Sequence, residues 1–278
     1  ARTNALISGD IHMMSDLDFK AIKQIEADPG TRMVEALSGA YTNFVLMLDR
    51  APGNNPDFLE TIKLLQNRKR LVRSLVKGHG GPGNDHPIGP AYGVDHCAEL
   101  EQTVLDHDKA KFHLKKSGIS EMEVIASDAG GAASVDMALL LQSEASKIGL
   151  DLKVKKVPPD GYWGNVWMNS PFHISGWNMR PTAYVMLELA YAPDAPWNES
   201  VWKNERMGKL LTETRSTTDP GKRAQLFCEM QGMIRAEAGS PLPLHTSYLD
   251  AASNKVKGIP GVPLAQLGGC EYPEFVWL

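Results

Sequence analysis

A strand–helix–strand pattern between residues 122 and 157 constrains the fold of this chain more than any other feature. Residues 122–127 and 152–157 are apolar and β-branched runs that predict two strands, and residues 135–148 between them carry helical apolar spacing that stops at Gly149. Strands joined through a helix pair in parallel with a right-handed crossover. The chain is therefore expected to be a mixed α/β protein.

The same reading of periodicity and turn chemistry divides the rest of the chain. It predicts helices at residues 2–8, 18–27, 58–76, 108–117, 205–214 and 220–238, strands at 31–37, 42–48 and 241–248, and an irregular loop at 79–94. The first helix would end at Gly9, so residue 1 lies close to the interior of an element. We therefore expect that the chain is a fragment or has lost a leader segment.

Composition excludes several classes of function. The net charge is −4 and the isoelectric point is near 6.1, and no run of basic residues with interleaved aromatics is present, so nucleic acid is not an expected partner. No apolar run approaches the roughly 20 residues that a membrane helix needs. Three cysteines without metal-type spacing allow at most one disulfide within the chain.

Residues 161–182 hold three of the six tryptophans around a single arginine. Trp163, Trp167 and Trp177 offer aromatic faces, and Arg180 keeps its charge and is costly to bury without a partner. Any one of these tryptophans could be a core residue. Together with Arg180 they predict a cleft that receives a polar or anionic ligand.

Residues 77–88 form a glycine-rich segment that contains Asn84, Asp85 and His86. Its spacing fits neither phosphate-binding fingerprint, because no Gly-Lys-Ser/Thr and no helix signal follow the glycines. The alternatives are a plain surface loop and a loop that places these three polar side chains at a cleft. Five histidines between residues 79 and 113 lack the spacing of a zinc site, which favours scattered solvated histidines over a metal site.

Several segments resemble, in order, the extracytoplasmic solute-binding proteins of ABC importers, in the oligopeptide/dipeptide/nickel-type group known as family 5. They are Ala-Leu-Ile-Ser-Gly-Asp-Ile-His-Met-Met at 5–14, the strand at 41–48, the helix at 55–68, Gly-Asn-Asp-His-Pro-Ile at 83–88, residues 108–118 and the strand–helix–strand unit. The succession of these segments is specific, although each is loose.

The resemblance implies a two-lobed fold of the periplasmic-binding-protein type (type II, Venus flytrap) that closes on a solute. Residues 1–41 would be the end of lobe I with the first hinge strand, 42–244 would be lobe II, and 245–278 would cross back to lobe I. The N-terminal part of lobe I would be missing from this chain. Expected partners are a small-molecule solute and, transiently, a permease in the inner membrane. A periplasmic monomer without catalysis or cofactor is the expectation.

The chain departs from the resemblance at the ligand. Peptide-binding members hold the free amine of the peptide with an aspartate shortly after a Gly-Trp pair, whereas Gly176-Trp177 here is followed by Arg180. A cation does not anchor an ammonium group, so the hypothesis is an anionic solute such as an opine-like conjugate, a sugar phosphate or a modified peptide. The predicted ligand-binding residues are Asn84, Asp85, His86, Trp163, Trp177, Asn178, Arg180, Pro181 and Thr182.

Three alternatives stay open. The first is a peptide- or dipeptide-binding member of the same family. The second, from another class, is a metal-dependent hydrolase that uses Asp85, His86 and His96. The third is a nickel- or haem-type binding relative with histidine ligands.

Overall fold

The computed structural model describes residues 1–131 and 133–278. In these residues the α-helices are α1 (Arg2–Ser8), α2 (Ile22–Ala27), α3 (Pro56–Leu64), α4 (Arg68–Ser74), α5 (His107–Ser117), α6 (Ser134–Ser146), α7 (Tyr162–Asn165), α8 (Ala183–Tyr191), α9 (Glu205–Ser216), α10 (Pro220–Glu237) and α11 (Gln266–Gly269). Two short 3-10 helices span Pro90–Asp95 and Tyr272–Glu274. No helix in the described part of the chain is long and apolar enough to cross a membrane.

A mixed sheet forms the centre of the fold. Its strands are β1 (Met13–Met14), β2 (Thr31–Leu46), β3 (Gly80–Pro82), β4 (Glu121–Ala126), β5 (Asp151–Lys156), β6 (Phe172–Trp177) and β7 (Leu244–Ser253). The strand order is β1-β7-β2-β6-β4-β5, and β3 pairs with β7. β5, β4 and β6 run parallel, whereas β2 is antiparallel to both β6 and β7. The predicted mixed α/β class and the β4–α6–β5 unit are confirmed.

Local capping explains why several helices begin where the sequence predicts. The side chains of Asn55, Asp106 and Asp219 accept hydrogen bonds from backbone N–H groups in the first turns of α3, α5 and α10. α1 ends at Gly9, whose φ of 84° lies in the left-handed region that glycine adopts without strain. These ends depend only on neighbouring residues, which is why the sequence predicts them.

Two predicted elements differ from the structure. Residues 31–37 and 42–48 are one long strand rather than two, because the chain at Ser38 and Gly39 forms a register shift against β7 and then continues in the sheet. Residues 58–76 are two helices rather than one, because the Asn67 side chain accepts a hydrogen bond from the Arg70 N–H and starts α4. The helix α8 and the strand β6 are among the elements that were not predicted.

Three clusters of buried apolar side chains stabilise the fold. One lies around α3, α6 and the parallel strands and includes Phe44 and Phe172. A second joins α8, α9 and α10 to Tyr41 and Trp177. The third is smaller and contains residues of α1, α2, β1 and β7, such as Leu6 and Ile25. β2 and β7 run from the small cluster to the two larger ones.

A disulfide joins Cys97 to Cys228 on α10, while Cys270 is a free, exposed thiol. Gln231, one turn further along α10, accepts a hydrogen bond from the Cys97 N–H and donates one to the backbone oxygen of Asp95. The segment that follows the glycine-rich loop is thereby attached to α10. This disulfide agrees with the expectation from the sequence that three cysteines form at most one pair within the chain.

Candidate functional site

A cleft of about 1000 Å³ lies where several strands of the sheet end. The carboxyl ends of the parallel strands β4, β5 and β6 meet at one edge, and the antiparallel pairing of Tyr41 with Trp177 brings β2 to the same edge. The loops that follow these strands line the cleft, together with residues 16–20 and 246–249 on its other side. Open α/β sheets bind ligands at this position, in the crevice beyond the carboxyl ends of their strands.

Two glycines let the loops at this edge approach closely. A side chain on Gly176 would meet the Gly131 Cα at 2.5 Å, and one on Gly131 would meet the Thr42 hydroxyl at 2.8 Å. The loop after β4 therefore packs directly on the end of β6, and both contribute to the lining.

Five aromatic side chains form a continuous aromatic wall in the cleft: Tyr41, Trp163, Trp167, Trp177 and Trp197. Neighbouring tryptophan rings meet edge to face, with centroid distances of 5.8 Å for Trp163–Trp167, 6.1 Å for Trp167–Trp197 and 5.9 Å for Trp177–Trp197. Tyr41 stacks on Trp177 at 6.3 Å. Trp163 and Trp197 remain 46% and 41% exposed, so the wall presents aromatic surface to whatever enters.

Arg180 lies against this wall. Its guanidinium carbon is 5.5 Å from the Trp177 ring centroid and 5.8 Å from that of Trp197, a cation–π arrangement with both rings. Its Nη1 donates to the backbone oxygen of Asn178 at 3.3 Å, and its backbone N–H donates to the Tyr92 hydroxyl at 3.1 Å. No carboxylate of residues 1–131 and 133–278 pairs with this guanidinium within 4.0 Å. The arrangement leaves a fixed cation with donors for an anionic group.

Glu199 lies behind the wall and is 4% exposed. One carboxylate oxygen accepts from the Asn43 side-chain amide at 2.9 Å, and the other accepts from the Trp167 indole N–H at 2.7 Å. Burial raises the pKa of this carboxyl group, and the hydrogen bonds from Asn43 and Trp167 oppose that rise. Glu199 thus fixes one indole of the wall from beneath.

Several carboxylates line the cleft. Asp16 and Asp18 line it next to Lys20, and Asp136 lines it at the start of α6. Asp128 also faces the cleft, paired with Lys156 at 2.9 Å. A solute with a negative group near Arg180 can therefore also meet carboxylates, which suit a donor or a positive group.

The structure brings four of the predicted site residues together in the cleft: Trp163, Trp177, Asn178 and Arg180. Pro181 and Thr182 are exposed and lie outside the lining; Thr182 instead accepts a hydrogen bond from the Val185 N–H and begins α8. The sequence did not single out Trp197, which comes from a later loop, although the two prolines that precede it, Pro193 and Pro196, were a signal of a rigid turn.

Asn84, Asp85 and His86 do not line the cleft, which corrects their predicted place. Asp85 is fully buried and pairs with buried Arg68 at 2.7 Å, and it also accepts from the Leu242 N–H at 3.0 Å. Asn84 accepts from the Thr103 N–H at 2.9 Å. The glycines let this loop fold inward against β7, so the side chains of Asn84 and Asp85 find partners inside the protein, while the buried ring nitrogens of His86 have no hydrogen-bond partner among the described residues.

The histidines of this region do not form a metal centre within the described residues: no group of three or more His, Cys, Asp or Glu there could hold a metal ion. His86 and His96 lie 5.9 Å apart, ring to ring. Burial, with the nearby His245 and His96, lowers the pKa of His86 to about 3, and burial lowers that of His245 to about 4. The imidazoles of His86 and His245 are therefore neutral side chains packed in the interior.

His173 on β6 gives a testable pH dependence. Burial lowers its pKa to about 4 from the ordinary 6.5, while the unfolded chain takes up its proton near 6.5. The contribution of the neutral His173 side chain to the stability of the fold is therefore complete above pH 6.5 and is lost as the pH falls below 6.5. When the pH is lowered from 7.5 to 5, we expect the free energy of unfolding of the wild type to fall by about 2 kcal/mol more than that of His173→Gln. Denaturant unfolding at both pH values measures this, and an identical loss in both proteins would contradict it.

Comparison with known proteins shows to which family this chain belongs. The family model for bacterial extracellular solute-binding proteins, family 5 (middle), matches residues 1–195. The chain belongs to this family. Among its relatives, the probable D,D-dipeptide-binding periplasmic protein DdpA of Escherichia coli K12 is 23% identical over 274 residues, which cover 96% of this chain and 52% of DdpA.

Solved structures of solute-binding proteins share the fold. The oligopeptide-binding protein AppA of Bacillus subtilis, in complex with a nonapeptide, aligns with a TM-score of 0.83 and 16% identity over 100% of this chain and 58% of its own. AgaA of A. tumefaciens R10, in complex with agropinic acid, aligns with a TM-score of 0.78 and 20% identity over 94% of this chain and 55% of its own. The fold is that of the corresponding part of the type II periplasmic binding proteins. This family 5 chain spans about half the length of these relatives.

Proposed function

We propose that this family 5 protein is the solute-binding component of an ABC-type importer, and that it captures a small anionic solute and delivers it to a membrane permease. The observation that carries the proposal is Arg180, a cation that lies between Trp177 and Trp197 in the cleft without a carboxylate partner among the described residues. Such a cation, pre-oriented by stacking, suits a carboxylate or phosphate, which accepts two parallel hydrogen bonds from a guanidinium.

Other observations fit this proposal. AgaA binds agropinic acid in a fold of the same type. The family is extracellular by its description, and an oxidising compartment outside the cytoplasm is where a disulfide such as Cys97–Cys228 persists. Trp163, Trp177, Asn178 and Arg180 would contact the solute, and β2 and β7 would bend as residues 1–41 and 245–278 close against residues 42–244. The protein would act as a monomer that meets the permease transiently.

The second candidate is a peptide-binding member of the family, and the carboxylates of the cleft lining favour it. Asp16, Asp18 and Asp136 could receive the free amine of a peptide whose carboxylate meets Arg180. AppA and DdpA are named for peptides. The two candidates differ in whether a solute that lacks a positive charge is bound.

Arg180→Ala tests the proposal. We expect opine-type conjugates or sugar phosphates to give a saturable change in tryptophan fluorescence, with a dissociation constant at least about tenfold higher in the variant, because a charge-assisted hydrogen bond contributes about 1.5–3 kcal/mol. Arg206→Ala is the matched control, since Arg206 is exposed and paired with Glu229 on α10. N-acetylated and free dipeptides in the same panel separate the two candidates.

Equal affinities of the wild type and Arg180→Ala for every anionic solute would contradict the role of Arg180. Binding of free dipeptides with no binding of their N-acetylated forms would favour the peptide candidate. The absence of any saturable response to the panel would contradict solute binding by this chain.

A further inference from the structure

Glu199 is the one carboxylate of the described residues that accepts a hydrogen bond from an indole of the aromatic wall. Its position is unusual for a charged group, because it is almost completely buried and no lysine or arginine of the described chain pairs with it. An isolated buried carboxylate is costly unless hydrogen bonds hold it. The bonds that hold Glu199 come from two separate parts of the fold.

The first part is the wall and the second is the pair of long strands. Trp167 follows α7 and donates to one oxygen, while Asn43 on β2 donates to the other. The same Asn43 amide donates to the Ser240 hydroxyl at 2.8 Å, and Ser240 lies just before the start of β7. Tyr191, at the end of α8, also donates to Ser240 at 3.2 Å. A chain of hydrogen bonds therefore runs from the wall to β2 and to the segment that enters β7.

The loop that carries Glu199 is itself fixed to these elements. Trp197 of the wall is two residues before it, and the Asn198 side chain between them donates to the backbone oxygens of Ala192 and Trp202. The Leu48 N–H, just after β2, donates to the backbone oxygen of Ser200 at 2.8 Å. Glu199 thus has little freedom to move without moving the wall or the end of β2.

We infer that Glu199 is a positioning residue that sets the orientation of Trp167, and with it the aromatic wall, relative to β2 and β7. A carboxylate suits this task because both of its oxygens accept, so it can hold donors from two elements at once. In consequence, bending of the two strands reorients the wall that meets the solute. The part of the inference that concerns solute affinity rests on the proposed function. The part that concerns the orientation of the aromatic wall applies to the ligand-free protein.

A double-mutant cycle tests this role. Glu199→Leu removes the acceptor, Trp167→Phe removes the indole donor, and the double variant measures whether the two changes are coupled. Glu199→Gln is the conservative rescue, since its amide oxygen can accept from Trp167 while its N–H₂ donates to the Asn43 side-chain oxygen once the Asn43 amide turns by about 180°, which brings that oxygen to the place the Asn43 N–H₂ now occupies. Glu144→Leu is the matched control, because Glu144 is equally buried and its partners are His107, Lys147 and Arg70, outside the cleft.

Two readouts distinguish positioning from a merely structural role: affinity for the anionic solute and the near-ultraviolet circular dichroism of the tryptophans in the ligand-free protein. We expect Glu199→Leu and Trp167→Phe each to weaken binding about tenfold or more, with little further loss in the double variant. Glu199→Gln should retain binding within about threefold and keep the tryptophan spectrum of the wild type, which Glu199→Leu should change. Glu144→Leu should change neither readout.

Unchanged affinity and spectrum in Glu199→Leu would overturn the inference, as would independent, additive losses of affinity in the cycle. If no anionic solute binds the wild type, the proposed function fails, and the spectrum of the ligand-free variants still decides the inference. If Glu199→Leu does not fold, Glu199→Asp takes its place, because the shorter carboxylate cannot reach both Trp167 and Asn43, and unchanged affinity and spectrum in Glu199→Asp would overturn the inference.

Discussion

Replacing Asp85 by asparagine is expected to lower the free energy of unfolding by about 3–5 kcal/mol, since removal of one partner from a buried ion pair leaves the other charge uncompensated. Arg68 is 4% exposed, and its Nη2 donates to both Asp85 oxygens at 2.8 and 2.7 Å. Asparagine keeps the size of the side chain and tolerates the left-handed φ of 60° at this position. Denaturant unfolding of both proteins at pH 7 measures the difference.

The control for this prediction is the double variant Asp85→Asn with Arg68→Met, which removes both charges and keeps a residue that tolerates the left-handed φ at position 85. It should be more stable than Asp85→Asn alone, because it leaves no uncompensated buried charge. Solute affinity should be the same in folded Asp85→Asn as in the wild type, since Asp85 lies outside the cleft. If Asp85→Asn had unchanged stability but lost solute affinity, Asp85 would be a ligand-binding residue, which would contradict the structure.

Removal of the Cys97–Cys228 disulfide is the second large effect. The bond closes a loop with a sequence separation of 131 residues, and the loop-entropy relation gives about 5 kcal/mol of stabilisation for a closure of that length. Because the bond also holds the segment whose Tyr92 hydroxyl accepts the Arg180 N–H, its loss removes support from the cleft. We expect Cys97→Ser with Cys228→Ser to lower the free energy of unfolding by at least about 2 kcal/mol.

Cys270→Ser provides the matched control, since Cys270 is exposed and unpaired. It should leave stability unchanged and abolish labelling of the native protein by a thiol reagent, which should modify one cysteine in the wild type. Labelling of three cysteines in the native wild type, or equal stability of the double variant and the wild type, would contradict the disulfide.

The parts of the fold that the sequence predicts well depend on neighbouring residues. The βαβ unit, the caps at Asn55, Asp106 and Asp219, and the stop at Gly9 all follow from short-range chemistry. α8 was missed because its outward-facing positions, such as Val185 and Leu189, are apolar as well, so its buried stripe does not stand out from a polar background.

The site was only partly predictable for a different reason. Trp163, Trp177 and Arg180 are close in the sequence, and their residue types alone indicated a ligand surface. Trp197 and Glu199 reach the same place through a later loop, and the partner of Asp85 is 17 residues away on another element. A polar residue in a glycine-rich loop looks the same in sequence whether it faces a cleft or a buried arginine, and only the tertiary fold decides between them.

A crystal structure of the protein with the anionic solute that binds it most tightly tests the central claim most directly. The account predicts that the solute lies in the cleft against the aromatic wall, with an anionic oxygen within about 3 Å of the Arg180 guanidinium nitrogens. Asn84, Asp85 and His86 should remain buried and without solute contact. A solute bound elsewhere, or one whose anionic group meets the glycine-rich loop instead of Arg180, would contradict the account.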